Sequence, residues 1–155
     1  FKDLVDFVNT LLMREDLSPA QKKRCFQLKN LLIDIERVAD MAEDIAQFAQ
    51  ERIEHEVPFS LQAINELGQC SQHAYQTYLL ALKAFHESDR ALALEACRME
   101  SEFDHLYWET RNSHIERLKQ GVCHPEADVI FTETLRNLER VSDHADNIGV
   151  SVSRS

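Results

Sequence analysis

Apolar residues recur along most of the chain at spacings of three and four, the period of a helix with one buried face. Phe1, Leu4, Val5, Val8, Leu11 and Leu12 set this rhythm at once and predict a helix reaching about Asp16. Ser18, Pro19 and Gln21 then form the start signal of a second helix, a capping residue followed by proline at the first helical position and glutamine at the third. Its apolar stripe runs through Leu28, Leu31, Leu32, Ile35, Val38, Ala39, Ala42 and Ile45 and fades near His55. Pro58 and Ser60 restart the chain into a third helix to about Glu87. Gly68 lies inside it and predicts close packing or a kink.

Ser88 and Asp89 serve as turn and cap for a fourth helix, with Leu92, Ala96, Met99, Phe103, Leu106 and Tyr107 along one face. Gly121 fits a left-handed helix end, and Pro125 opens a fifth helix whose first turn carries Glu126 and Asp128. Strand-type alternation never persists. Short links between long amphipathic helices predict an all-α, antiparallel helical bundle. The first helix begins in mid-register with no cap, which suggests a piece of a longer protein.

Composition agrees. With 44% hydrophobic and 28% charged residues, 155 residues support a packed core, and three glycines and three prolines leave room for long helices. The net charge of −10 argues against nucleic acid as a partner and against an anionic membrane surface. No apolar run is long enough to span a bilayer, so this segment does not insert into one. Cys25, Cys70, Cys97 and Cys123 are widely spaced within or beside apolar stretches, the pattern of reduced, buried thiols.

The most informative feature is a repeat. The stretch from Ile35 to Ile45 (IERVADMAEDI) matches Leu138 to Ile148 (LERVSDHADNI) at a constant offset of 103 residues, from Glu36 to Glu139 and from Asp40 to Asp143. Amphipathic helices share apolar positions by chance, but not Glu, Arg and Asp. Within each copy the two acids lie one turn apart, rotated away from the apolar stripe. Glu100 and Asp104 form a third such pair on the fourth helix. If the fourth and fifth helices pack antiparallel, four carboxylates converge on one patch. Each like-charge pair is unfavourable by about 0.2–0.5 kcal/mol on an isolated helix, and a cation would relieve the repulsion. The plain alternative is a solvated acidic face, with Arg37 and Arg140 offering weak pairs to Asp40 and Asp143.

The repeated Glu-Arg-Val-x-Asp-x-Ala-(Glu/Asp)-(Asp/Asn)-Ile resembles the third-helix signature of PhoU proteins. The resemblance implies tandem three-helix bundles related by duplication, here with an incomplete first bundle over residues 1–57 and a complete second one over 58–155. It also implies a metal site in the second bundle formed by Glu100, Asp104, Glu139 and Asp143. Glu36 and Asp40 are the matching pair of the first bundle, without the partner acids. The metal is open among iron, manganese, zinc, magnesium and calcium.

By the same resemblance the chain is a regulatory domain controlling phosphate uptake. Its implied setting is the C-terminal cytoplasmic part of a sodium-dependent phosphate cotransporter, on the cytoplasmic side of the inner membrane. Its partners would be the transporter membrane domain or phosphate-signalling proteins, with a homo-oligomer left open. A free-standing cytoplasmic regulator and a structural bundle without metal are the alternatives. Catalysis is not expected. The one Glu-x-x-His, at Glu102 and His105, has no second copy, as a di-iron carboxylate site would need. His73, His86, His114 and His124 are scattered and predicted at the surface or at caps. His144 is turned away from the acidic pair, and Phe103, Tyr107 and Trp108 are predicted to pack in the core.

Overall fold

The computed structural model describes residues 1–154 and contains five helices, α1 (Lys2–Leu12), α2 (Pro19–Glu54), α3 (Leu61–Glu87), α4 (Arg90–Lys119) and α5 (Pro125–Ser153). Local chemistry accounts for most boundaries. Ser18 Oγ accepts from the Gln21 amide while Gln21 Oε1 accepts from the Ser18 amide, closing both halves of the capping box. Ser60 and Asp89 cap α3 and α4 by one half of this arrangement, their side chains accepting from the amides of Ala63 and of Ala91 and Leu92. Gly121 adopts φ of 70°, and the amides of Gly121 and Val122 return to the Leu118 and Arg117 carbonyls. The first helix stops at Leu12, short of Asp16. There the Arg14 guanidinium turns back onto the Asp16 carboxylate within the link.

Helices α3, α4 and α5 pack against one another as a three-helix bundle, α2 lies along α5, and α1 lies along α2. Phe103, Phe131, Cys70 and Ala74 fill one part of the core, and Ala81, Ala93, Ala96, Ala145 and Ile148 fill another. The second part is built from small residues, so α3, α4 and α5 approach closely there. Gly68 departs from expectation. An added Cβ there would meet nothing within 4 Å, so close packing does not explain it, and α3 runs unbroken through it. Among the described residues no helix is long and apolar enough to cross a membrane.

The repeat acquires a geometric meaning in this arrangement. Lys23 reaches the Arg154 carbonyl, Gln27 the Ser151 carbonyl and Asp34 the His144 ring, so α2 and α5 run antiparallel. This register places Arg37 and Val38 opposite Val141 and Arg140, their own counterparts in the repeat. A local pseudo-twofold axis therefore passes through the middle of the motif. The two copies are not equally covered. Phe131, Leu135, Leu138, Ala145 and Ile148 are fully buried because α3 and α4 both flank α5. Their counterparts Leu28, Leu32, Ile35 and Ile45 are half-buried and Ala42 is exposed, since α1 is short and among the described residues no helix takes the place of α3 beside α2.

Candidate functional site

Glu100 and Asp104 on α4 face Glu139 and Asp143 on α5, and the four influence one another electrostatically. Glu100 and Glu139 are half-buried at the helix seam, while Asp104 and Asp143 stand at its exposed rim. Burial, reinforced by Asp104, Asp146 and Asp143, pushes the Glu100 carboxyl up to about 7. Burial, with Asp143 and Asp104, likewise raises Glu139 against the opposing charge of Arg136. Asp143 rises through burial, Asp104 and Asp146, with His144 and Arg140 pulling the other way. The antiparallel packing thus concentrates negative charge on one seam, as the sequence pattern predicts. Two neighbouring arginines oppose that charge without neutralising it.

Asp146 is the member that the sequence reading passed over. It sits one turn beyond Asp143, acts on both Glu100 and Asp143, and receives a hydrogen bond from the Cys97 thiol of α4. A signal was available, because the repeat aligns it with another acid, Glu43. Burial and Asp146 push the Cys97 thiol up to about 12, so it stays protonated and poorly nucleophilic. Gly149 sets how closely the two helices meet. A Cβ there would lie 3.0 Å from the Ala93 carbonyl oxygen and 3.0 Å from Cys97 Sγ.

Glu36 and Asp40 are not brought into this group. Both are exposed on α2, which packs on α1 and α5 and not on α4. Among the described residues no three His, Cys, Asp or Glu side chains are gathered tightly enough to hold an ion. The seam is therefore a zone of concentrated negative charge rather than a closed ligand cage.

The remaining candidates divide. His144 turns away from the acids, as its position predicts, and its Nδ1 lies 2.8 Å from Oδ1 of the buried Asp34, which Asn147 also approaches at 3.4 Å. This polar contact joins α2 to α5 beside the pseudo-twofold axis. Across that axis, Asn137 and Met41 occupy the equivalent places, both buried. His114 corrects the sequence reading. It is 4% exposed, stacked on Phe131 and bonded to Asp128, because its face of α4 turns toward α3 and α5. Trp108 is the opposite correction, 54% exposed and edge-on to Tyr107 with Arg111 over its ring. Phe103 alone of that aromatic group is fully buried. Cys25 and Cys70 are buried, Cys97 and Cys123 half-buried, and all four thiols are free.

Comparison with known proteins bears on these same helices. The model of the PhoU domain matches residues 67–152, spanning most of α3 and all of α4, together with α5 almost to its end. The chain belongs to the PhoU family. Two relatives from Thermotoga maritima, both named as phosphate-specific transport system accessory protein PhoU homologs, are similar to it. Homolog 1 is 29% identical over 115 residues, covering 74% of this chain and 49% of the relative. Homolog 2 is 27% identical over 114 residues, covering 74% and 47%. This PhoU domain thus spans about half the length of the curated relatives it matches. No solved structure matches it significantly.

Proposed function

We propose that this PhoU domain is part of a regulator of phosphate uptake. It acts through contact with a transporter or a phosphate-signalling protein, on the cytoplasmic side of the membrane, and not through catalysis. The observation that carries this reading is the family match across the helices that build the acidic seam. Both matched relatives are named as accessory proteins of phosphate-specific transport systems. Their names favour an accessory regulator over the cytoplasmic domain of a sodium-dependent cotransporter.

A finer proposal concerns the seam itself. Glu100, Asp104, Glu139 and Asp143, joined by Asp146, take up a cation, whose charge relieves the repulsion among carboxylates brought together at the seam. The support is chemical: carboxyls from two helices form an all-oxygen donor set, and three of them, Glu100, Glu139 and Asp143, are held unusually ready to keep their protons. Such a set suits hard or borderline ions such as magnesium, calcium, manganese or iron better than a thiolate-type zinc site. Because the side chains do not form a closed cage, binding requires them to move inward. Glu36 and Asp40 would take part in a second site only with acids from another segment.

Two measurements test the two levels separately. The purified protein and its Glu139→Ala, Asp143→Ala double variant are incubated with iron, manganese, zinc and calcium salts and assayed for bound metal. Near-stoichiometric metal lost in the variant supports the cation site, and none in either sinks it. Phosphate uptake is then measured with the same double change in the full-length protein, folding being checked by helical circular dichroism. Uptake that no longer responds to phosphate supply supports regulation, while unchanged control leaves the domain structural.

A further inference from the structure

The α2–α3 link and the α4–α5 link meet over the start of α5 and form a small, partly open cavity, about 20 Å³, lined among others by Phe59, Ala63, His114, Arg117, Cys123 and Ala127. Its walls are mostly apolar, but two of its polar members are buried. His114 is 4% exposed and Arg117 8%. The His114 ring stacks on Phe131 at 4.3 Å, and its Nε2 lies 2.6 Å from Asp128 Oδ1. A carboxylate accepts hydrogen bonds, so this contact assigns a ring proton to Nε2, and Nδ1 is an acceptor in the neutral ring and a donor in the charged one. That Nδ1 is buried and meets no donor from the protein. Arg117 Nη1 donates to Ser113 Oγ, while Nη2 lies 2.8 Å from Glu66 Oε2 without the alignment of a hydrogen bond. The third feature is the helix start. His124 at the N-cap of α5 gives no side-chain cap, so the first-turn amides near Ala127 lack that acceptor.

These groups ask for one small partner that can both donate and accept. We infer that the cavity is a binding site for a single water molecule, held between His114 Nδ1 and the uncapped first turn of α5. Size decides the class of ligand, since a volume of about 10–15 Å³ already admits one water, and the observed cavity is only slightly larger. Charge agrees, because Glu66 and Asp128 beside Arg117 and His114 leave no net attraction for an oxyanion. The Cys123 thiol and the Ser60 hydroxyl also lie in the lining; the thiol is directed to the His124 carbonyl at 3.5 Å, and Ser60 Oγ is held at the start of α3 by the Ala63 amide. The water completes the hydrogen bonding of a joint where two links and three helices converge. Buried waters of this kind, with two or more polar partners, are integral to the structures that hold them.

The test is water–protein cross-relaxation NMR on the protein, read at the Ala127 amide and the His114 ring, with Ala127→Val as the cavity-filling variant. A long-lived water at both positions, absent in Ala127→Val, is expected. The variant should also melt lower than wild type, because its added methyls would displace a hydrogen-bonded ligand. Absence of a long-lived water in the wild type would overturn the inference, and a higher melting point for Ala127→Val would then identify a dry apolar void. Saturable movement of the His114 ring signals on adding inorganic phosphate would overturn it in favour of an anion site. A change in the Nδ1 signal in Cys123→Ala, with no bound water, would overturn it in favour of the thiol. Should Ala127→Val not fold, the wild-type cross-relaxation decides by itself.

Discussion

Two glycines inside long helices carry opposite expectations, and comparing them tests how α4 and α5 are held together. In a helix interior, replacing glycine by alanine is favourable by about 1 kcal/mol, because the unfolded chain loses freedom and the helix gains propensity. At Gly68 nothing lies within 4 Å of the new methyl, so Gly68→Ala should realise most of this gain, about 0.5–1 kcal/mol. At Gly149 the methyl lands 3.0 Å from the Ala93 backbone oxygen, 3.0 Å from Cys97 Sγ and 3.7 Å from Ala96 Cβ. The carbonyl belongs to the first turn of α4 and cannot swing aside, so the helices must separate by a few tenths of an ångström. Overpacking of this kind is unfavourable by about 1–3 kcal/mol. Set against the propensity gain, it leaves Gly149→Ala destabilised by about 1 kcal/mol. The two variants should therefore differ by about 2 kcal/mol in urea unfolding at unchanged m-value. In a chain of this size each kcal/mol moves the melting temperature by about 2–4 °C. A Gly149→Ala protein as stable as Gly68→Ala would refute the close approach of α4 and α5, and with it the spacing of the acidic seam.

Other consequences follow from named contacts. The folded-state value of Glu100, about 7, lies above its ordinary 4.5, so ionising it opposes folding. Its penalty is absent below pH 4.5, grows through pH 7 and is complete above. The full shift would correspond to about 3.4 kcal/mol, and partial exposure to solvent reduces this to roughly 1 kcal/mol. Glu100→Gln should accordingly stabilise the metal-free protein at pH 8 and make no difference near pH 4, as followed by chelator-treated urea titrations at both values. Removing Asp34 or His144 singly should destabilise the protein, with a coupling of about 1 kcal/mol in a double-mutant cycle; additive effects would deny their bond. Glu56 and Ser88 hold left-handed conformations, with φ of 52° and 54°, at the ends of α2 and α3. Glu56→Gly and Ser88→Gly should each raise stability by about 0.5–1 kcal/mol, readable as a higher urea midpoint.

The helices themselves were legible because their signals are local. Ser18 and Gln21 satisfy each other's amides at the start of α2 and Pro19 has none to satisfy, wherever that helix packs, and Gly121 can turn left-handed in any context. The spacing of Glu100 with Asp104, and of Glu139 with Asp143, likewise places each pair on one helix face before any neighbour is known. The repeat further marked α2 and α5 as equivalent. It gave no sign that the two helices cross at their own motif, because a repeat records likeness and not position.

What only the tertiary structure decided is how each helix face is occupied. His114 and Trp108 lie on the same helix and both looked like ordinary members of their pattern, yet one is enclosed by α3 and α5 and the other faces solvent. Asp146 joins the acidic seam only because Gly149, one turn later, lets α4 come close enough for Cys97 to reach it. Glu36 and Asp40 copy Glu139 and Asp143 residue for residue but face no second acidic helix. Helix formation depends on the chain's own amides and spacing. The meeting of charges depends on which helix stands opposite, and that is settled by packing between segments far apart in sequence.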